Sequence, residues 1–428
     1  MSDPAPFWRA WLRSPARRLS DRVGALVIGG NYRGLGVVRS LGRRGIPVWV
    51  LTDEHLIAAA SRYARRSVPW PALGEAEQVG YLLDLGARHR LDAWAIFPTG
   101  DEDAALLARN HAALTERFLL TTPPWKMLRW AYDKRLTYRL AEELGVAHPW
   151  TRHPRCREEA AALDCAYPVI LKPAFKENVN SFTRDKAWLV EGREALLARY
   201  DEACGLAPPG VIMVQELIPG GGEAQFSYAA LCVDGRPRAS LAARRTRQHP
   251  VDFGRSSSYV ETVDLPEIEE PARRLLAAMR YTGLVEVEFK YDSRDGRYKL
   301  LDINPRVWGW HSLGRRAGVD FPYLLWRVLR DEPTPEARAR PGVRWVRAVT
   351  DLPAVAHEIW RGRMSLRAYL RSLRGPLECA IFALDDPLPA LFEAPLLSYI
   401  AWRRRSVLKS AARPLHTVEK EREIRVAG

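Results

Sequence analysis

The sequence predicts an α/β unit at the amino end joined to a larger α+β body, and three observations predict it. Val23 to Ile28 form an apolar run ending in Gly29-Gly30-Asn31-Tyr32-Arg33-Gly34-Leu35-Gly36; a helix follows through Gly42, then a second apolar run from Pro47 to Leu51. That is a strand, glycine turn, helix, strand unit. Far along the chain, Val285, Val287 and Phe289 alternate with Glu286, Glu288 and Lys290, the period of a strand with one buried face. With 428 residues the chain is long enough for two or three domains.

Composition narrows the function classes. The chain is 47% hydrophobic and 27% charged, an ordinary globular balance. Its net charge of +14 rests on arginine, since only 9 of the 65 basic residues are lysine. The arginines are scattered over helical faces and loops, and no helix-turn-helix, zinc-finger or RNA-stacking signature accompanies them, so no nucleic-acid partner is expected. Cys156, Cys165, Cys204, Cys232 and Cys379 lie far apart, which fits reduced thiols in a cytoplasmic protein and disfavours zinc. No apolar run approaches the ~20 residues of a membrane span. Residues 1–22 read as a basic tail; with Phe7, Trp8 and Trp11 among its arginines, weak contact with a membrane surface stays open.

The first unit covers 23–124. Its glycine spacing does not fit a dinucleotide fingerprint, so the turn reads as a tight connection on a doubly wound scaffold. Ala93 to Phe97 and Phe118 to Leu120 add strands. Thr99-Gly100-Asp101-Glu102 follows the first of these, at a strand's carboxyl end, where open α/β sheets place ligands. Pro123-Pro124 marks the boundary.

In the second unit, 125–210, Asp133 is a helix N-cap, Leu136, Leu140 and Leu144 form the apolar stripe, and Gly145 ends it. Lys134 then sits in the first turn, where a cation opposes the helix dipole unless an anion lies ahead. Lys172 ends the apolar strand Tyr167 to Lys172 and needs a counter-anion or an escape to solvent. The loop 174–185 contains no glycine.

The third unit, 211–330, opens with a strand from Val211 to Pro219, then Gly220-Gly221-Gly222 and an exposed Glu223. A hairpin about Asp234-Gly235 follows. Arg244, Arg245 and Arg247 read either as a solvated basic loop or as a guanidinium cluster suited to a transferring phosphoryl group. A three-residue loop ending at Gly296 would pair Glu288 with Asp302 and Glu286 with Asn304. Facing carboxylates repel unless a cation lies between them, and two carboxylates with an amide oxygen suit Mg²⁺ bridging nucleotide phosphates. Residues 331–428 read as an extension with proline breaks and a charged, disordered tail from Arg403.

Gly283…Glu288-Phe289 followed by Asp302-Ile303-Asn304-Pro305-Arg306 resembles the closing motif of the ATP-grasp enzymes, with Asp302 where most members carry Glu. The resemblance spans about residues 23–330. It implies an ATP-grasp fold preceded by a doubly wound, Rossmann-like pre-ATP-grasp domain. It further implies that Lys134 and Lys172 hold nucleotide phosphates, that the segment of Gln215, Glu216 and Ile218 meets adenine, and that Glu223 meets ribose. Glu288, Asp302 and Asn304 would hold Mg²⁺, with Mn²⁺ as an alternative. Arg306, with Arg245 and Arg247, would face the reacting phosphoryl group. Within the family the chain looks most like the carboxylate–amine ligases, D-aspartate ligase and the synthetase halves of carbamoyl-phosphate synthase among them. These turn a small-molecule carboxylate into an acyl phosphate with ATP and let an amine displace phosphate. A homodimer is compatible with that reading. Two alternatives remain beside it: an ATP-binding regulatory protein without turnover, and a basic binder of anionic surfaces or nucleic acid.

Overall fold

The computed structural model describes residues 23–53, 55–175, 180–184, 187–249 and 256–411. The basic tail 1–22, Lys176 and Asn178 of the glycine-free loop, Gly254-Arg255 and the last residues from 412 lie outside the described residues.

The amino-terminal unit is a parallel sheet of β1 (Ala25–Ile28), β2 (Val48–Thr52), β3 (Ala64–Pro69), β4 (Ala95–Pro98) and β5 (Leu119–Leu120), in the order β3-β2-β1-β4-β5. The strand order reverses beside β1, the topology of a doubly wound sheet. Gly29 has φ +108, and a Cβ there would stand 2.0 Å from the Thr99 hydroxyl. The glycine therefore lets β1 turn tightly against the end of β4, as the turn reading expects.

A four-stranded sheet follows: β6 (Thr151–Arg152), β7 (Val169–Pro173), β8 (Trp188–Val190) and β9 (Ile212–Glu216), ordered β6-β9-β7-β8. Because β9 pairs with β7, this lobe runs to Glu216, and the boundary expected at 210 falls just short of its last strand. The helix Lys134–Glu143 begins where Asp133 accepts the Arg135 amide at 2.9 Å and ends before Gly145 at φ +63.

The largest sheet has eight strands: β10 (Gln225–Val233), β11 (Arg236–His249), β12 (Ser256–Val263), β13 (Gly283–Asp292), β14 (Arg297–Asn304), β15 (Ala337–Arg338), β16 (Arg344–Val346) and β17 (Leu377–Cys379). β10 and β11 join through Asp234 (φ 51) and Gly235 (φ 77), a two-residue turn with both positions left-handed. β11 runs on to His249, so Arg244 to Gln248 belong to a strand and not a loop.

Between β13 and β14 the expected pairs Glu288↔Asp302 and Glu286↔Asn304 are present. The loop, however, is Ser293 to Gly296, one residue longer than expected, because Asp292 pairs with Arg297. A bulge between Glu288 and Phe289 absorbs the difference, leaving Leu301 as the extra residue.

Residues 331–411 are no appendage. β15, β16 and β17 extend the third sheet, and Trp345, Ala380 and Ile381 share one core with Val37, Val38 and Leu41 of the first unit. Two buried ion pairs close the join: Arg39 with Asp386 at 2.9 Å and Arg247 with Asp351 at 2.8 Å. The helix Leu388–Ala411 continues past Arg403, where the sequence places the start of the charged tail.

Candidate nucleotide and metal site

Where the three units meet lies a cleft of about 210 Å³. β13 and β14 supply Glu286, Glu288, Asp302 and Asn304; the connection beyond them supplies Arg306. Lys134 enters from the helix it opens, Arg245 from β11, and Tyr32, Arg33 and Asp101 from the first unit.

Charges in the cleft neutralise one another. Lys134 Nζ lies 2.9 Å from Asp302 Oδ1. Burial works to lower the Lys134 pKa, but the Asp302 carboxylate outweighs it and holds the ammonium above its ordinary range. Arg245 Nη2 lies 3.6 Å from Glu288 Oε2. The Asn304 amide nitrogen donates to Glu286 Oε2 at 3.1 Å and to Glu288 Oε1 at 2.8 Å, and its oxygen accepts from Arg306 at 3.2 Å. Burial, and next the Glu288 charge, push the Glu286 carboxyl up to about 7.

Arg306 is nearly sealed from solvent and clamped by Asp101, with Nε–Oδ1 at 2.6 Å and Nη2–Oδ2 at 3.1 Å. This bidentate pair ties the end of the hairpin to the carboxyl end of β4. Burial alone would raise the Asp101 carboxyl; the Arg306 guanidinium reverses that and holds it down at about 2.

Lys172 reaches the same region through Tyr138. Its Nζ donates to the Tyr138 hydroxyl at 3.1 Å, and that hydroxyl donates to the Leu301 carbonyl at 2.8 Å. The bulge residue of β14 thus anchors the second lysine. Burial, and then the Lys134 charge, lower the Lys172 pKa to about 7 against the pull of Asp302 and Glu288.

Other expected residues stand elsewhere. Arg247, expected in the guanidinium cluster, is sealed instead against Asp351, Ser372 and the Tyr259 ring. Bulges on either side of Arg247 in the β11–β12 pairing separate its side chain from that of Arg245. Gln215 is buried and donates to the Thr151 hydroxyl at 2.8 Å. The Glu216 carboxylate is taken by Lys299 at 3.0 Å, Arg294 at 2.8 Å and the Trp150 amide at 3.0 Å. The Ile218 carbonyl accepts from Lys290 at 2.8 Å. Glu223 is exposed and accepts from the Gly221 amide at 2.9 Å.

The site residues missed from sequence are Glu286, Asp101 and Arg33. Glu286 shares the face of Glu288 and pairs with Asn304, so the alternation already placed it. Asp101 lies at the strand end where ligands are expected. Arg33 has no signal beyond its place in the glycine turn; its guanidinium donates to the Thr99 carbonyl at 2.9 Å.

A family model described as "ATP-grasp in the biosynthetic pathway with Ter operon" matches residues 212–352. The D-aspartate ligase of Enterococcus faecium is 28% identical over 228 residues, 50% of this chain and 53% of that protein. A D-alanine–D-alanine ligase of Alkalilimnicola ehrlichii is 29% identical over 209 residues, 46% of this chain and 63% of the other. Among solved structures, an L-amino acid ligase from Bacillus licheniformis superposes with a TM-score of 0.57 at 15% identity, covering 76% of this chain and 79% of that one. The biotin carboxylase domain of Hydrogenobacter thermophilus 2-oxoglutarate carboxylase gives 0.59 at 16% identity, covering 75% and 73%. The fold is therefore that of the ATP-grasp proteins, and residues 212–352 are similar to an ATP-grasp family. The matched region spans between about half and two thirds of the two ligases.

Proposed function

We propose that the chain is an ATP-dependent carboxylate–amine ligase, with Mg²⁺ bound by Glu288, Asp302 and Asn304. The observation that carries this is the convergence in one cleft of two facing carboxylates, an amide, the Lys134 ammonium and a clamped arginine, drawn from all three units. The donor set is entirely oxygen, which fits a hard divalent cation. Lys134 and Arg245 now face the two carboxylates that would hold such an ion. A bound cation would supply charge neutralisation between carboxylates and phosphates.

The chain's own residues do the positioning. Lys134, now paired with Asp302, would turn its ammonium to the phosphate oxygens of a nucleotide. Lys172, poised near neutrality by burial, takes up a proton as the phosphate anion arrives. Arg306 cannot swing, because Asp101 holds it from the other side; it presents a fixed guanidinium to the carboxylate that receives the γ-phosphoryl group. Fixed charges of this kind lower the barrier without reorganising during the reaction. An amine then displaces phosphate from the acyl phosphate to leave an amide. The ligase names among the relatives support this reaction class, and the substrates would be small molecules.

The test is ADP release with Mg²⁺ and ATP across pools of amino acids and simple carboxylates paired with amines. The proposal expects release that needs both a carboxylate and an amine. Release from ATP alone, or none with any pair, contradicts it.

A further inference from the structure

The helix Leu388–Ala411 carries large apolar side chains on two separate sides. One side packs on the protein: Pro389, Glu393 and Ile400 are buried, and Leu396 packs against the core shared with the first unit. At 3.6 residues per turn, positions 388, 391, 392, 395, 399 and 402 share a second face, covering about a third of the circumference. They read Leu, Leu, Phe, Pro, Tyr and Trp. Leu391 is 69% exposed, and Leu388, Phe392 and Tyr399 are exposed with it. The approach to the helix continues the patch with Phe382 and Leu384, the latter 89% exposed. Large apolar side chains arrayed along a helix's outward face mark a surface that is covered in use.

Charge says what covers it. Each acid on the helix and its approach pairs with an arginine of the fold: Asp385 with Arg43, Asp386 with Arg39, Glu393 with Arg347. No negative charge is left over there. The apolar face runs directly into Arg403-Arg404-Arg405, with Lys409 one turn further. Apolar insertion beside a block of basic residues is the chemistry that recognises anionic lipid. The helix itself is too polar to cross: no helix among the described residues is long and apolar enough to span a membrane.

We infer that this helix docks the protein on an anionic membrane surface, lying in the interface with Leu388, Leu391, Phe392 and Tyr399 turned toward the lipid. The binding adds no residue to the cleft and is independent of the ligase reading.

Co-sedimentation of the full chain with vesicles tests it, comparing phosphatidylcholine alone with phosphatidylcholine containing phosphatidylglycerol. Binding is expected to the anionic vesicles only, and to weaken with added salt. The pair Leu391→Glu and Phe392→Glu should lower the partition coefficient at least about tenfold, and Arg403→Gln with Arg404→Gln and Arg405→Gln should abolish the preference for anionic lipid. Both variants should keep the wild-type melting temperature, since the substituted positions lie on the outward face and in the basic end of the helix. Equal binding to both vesicle types, or binding that neither variant reduces, overturns the inference; the latter would place the contact in residues 1–22. A dimer in size-exclusion chromatography that Leu391→Glu with Phe392→Glu dissociates, without vesicle binding by the wild type, would assign the face to a second copy and overturn it as well.

Discussion

Lys172 carries an unfavourable charge in the resting protein. Its folded pKa lies near 7, below the ordinary lysine value of 10.5, because burial and Lys134 disfavour the ammonium. The unfolded chain therefore binds a proton that the folded chain refuses between those two values, so stability rises with pH across that window, and the penalty is fully present below about 7. Lys172→Met should raise the melting temperature of the ligand-free protein at pH 6, by the equivalent of about 1–3 kcal/mol. The same variant should lose most of its stabilisation by ATP. Differential scanning fluorimetry at pH 6 and pH 9 checks both, and the gain should shrink at the higher pH. Asp101 behaves oppositely: its carboxyl is depressed to about 2, so the Arg306 clamp contributes above the ordinary carboxylate value of 3.8 and is lost as pH falls through 2. Asp101→Asn keeps the shape and removes the charge that fixes Arg306. We expect kcat to fall by at least about tenfold with a smaller change in the KM for ATP, as steady-state kinetics would show.

At the scale of elements, the hairpin β13–β14 shows how far the sequence could be read. Alternation along Val285 to Lys290, with Asn304-Pro305 stopping the second strand, was enough to pair Glu288 with Asp302. It was not enough to reveal the bulge, since a bulge inserts one residue without changing either strand's local pattern. The expected loop was one residue short, and the register at the carboxylates still agreed because Leu301 makes up the difference. Arg245 and Arg247, which the sequence offers as a basic loop or a guanidinium cluster, lie on one strand. Regular alternation would put both on one face; the bulges between β11 and β12 send Arg247 to Asp351, more than 100 residues away in sequence. The helix Lys134–Glu143 was legible at both ends because capping is local chemistry. Asp133→Ala should cost about 1 kcal/mol by urea unfolding and weaken ATP binding as well, because the cap sets the position of Lys134.

For the whole molecule, the sequence divided what folding unites. Composition and proline breaks set residues 331–428 apart, yet the strands of this segment complete the third sheet, and its Asp351 and Asp386 hold buried arginines of two other units. Ion pairs between residues hundreds of positions apart leave no local trace. Asp351→Ala would strand the Arg247 guanidinium among buried neighbours, and we expect a loss of about 3–5 kcal/mol in denaturant unfolding. Through those contacts the extension braces β11, the strand that brings Arg245 to the cleft.

The proposed cleft would bind ATP through a divalent cation on the β13–β14 hairpin. The most direct measurement is the thermal shift produced by ATP with and without Mg²⁺, for the wild type and for Glu288→Gln. We expect a shift that requires Mg²⁺ in the wild type and is absent in Glu288→Gln, whose unliganded melting temperature stays near that of the wild type. An equal shift in the two proteins, or no shift with ATP and Mg²⁺ at all, would contradict it.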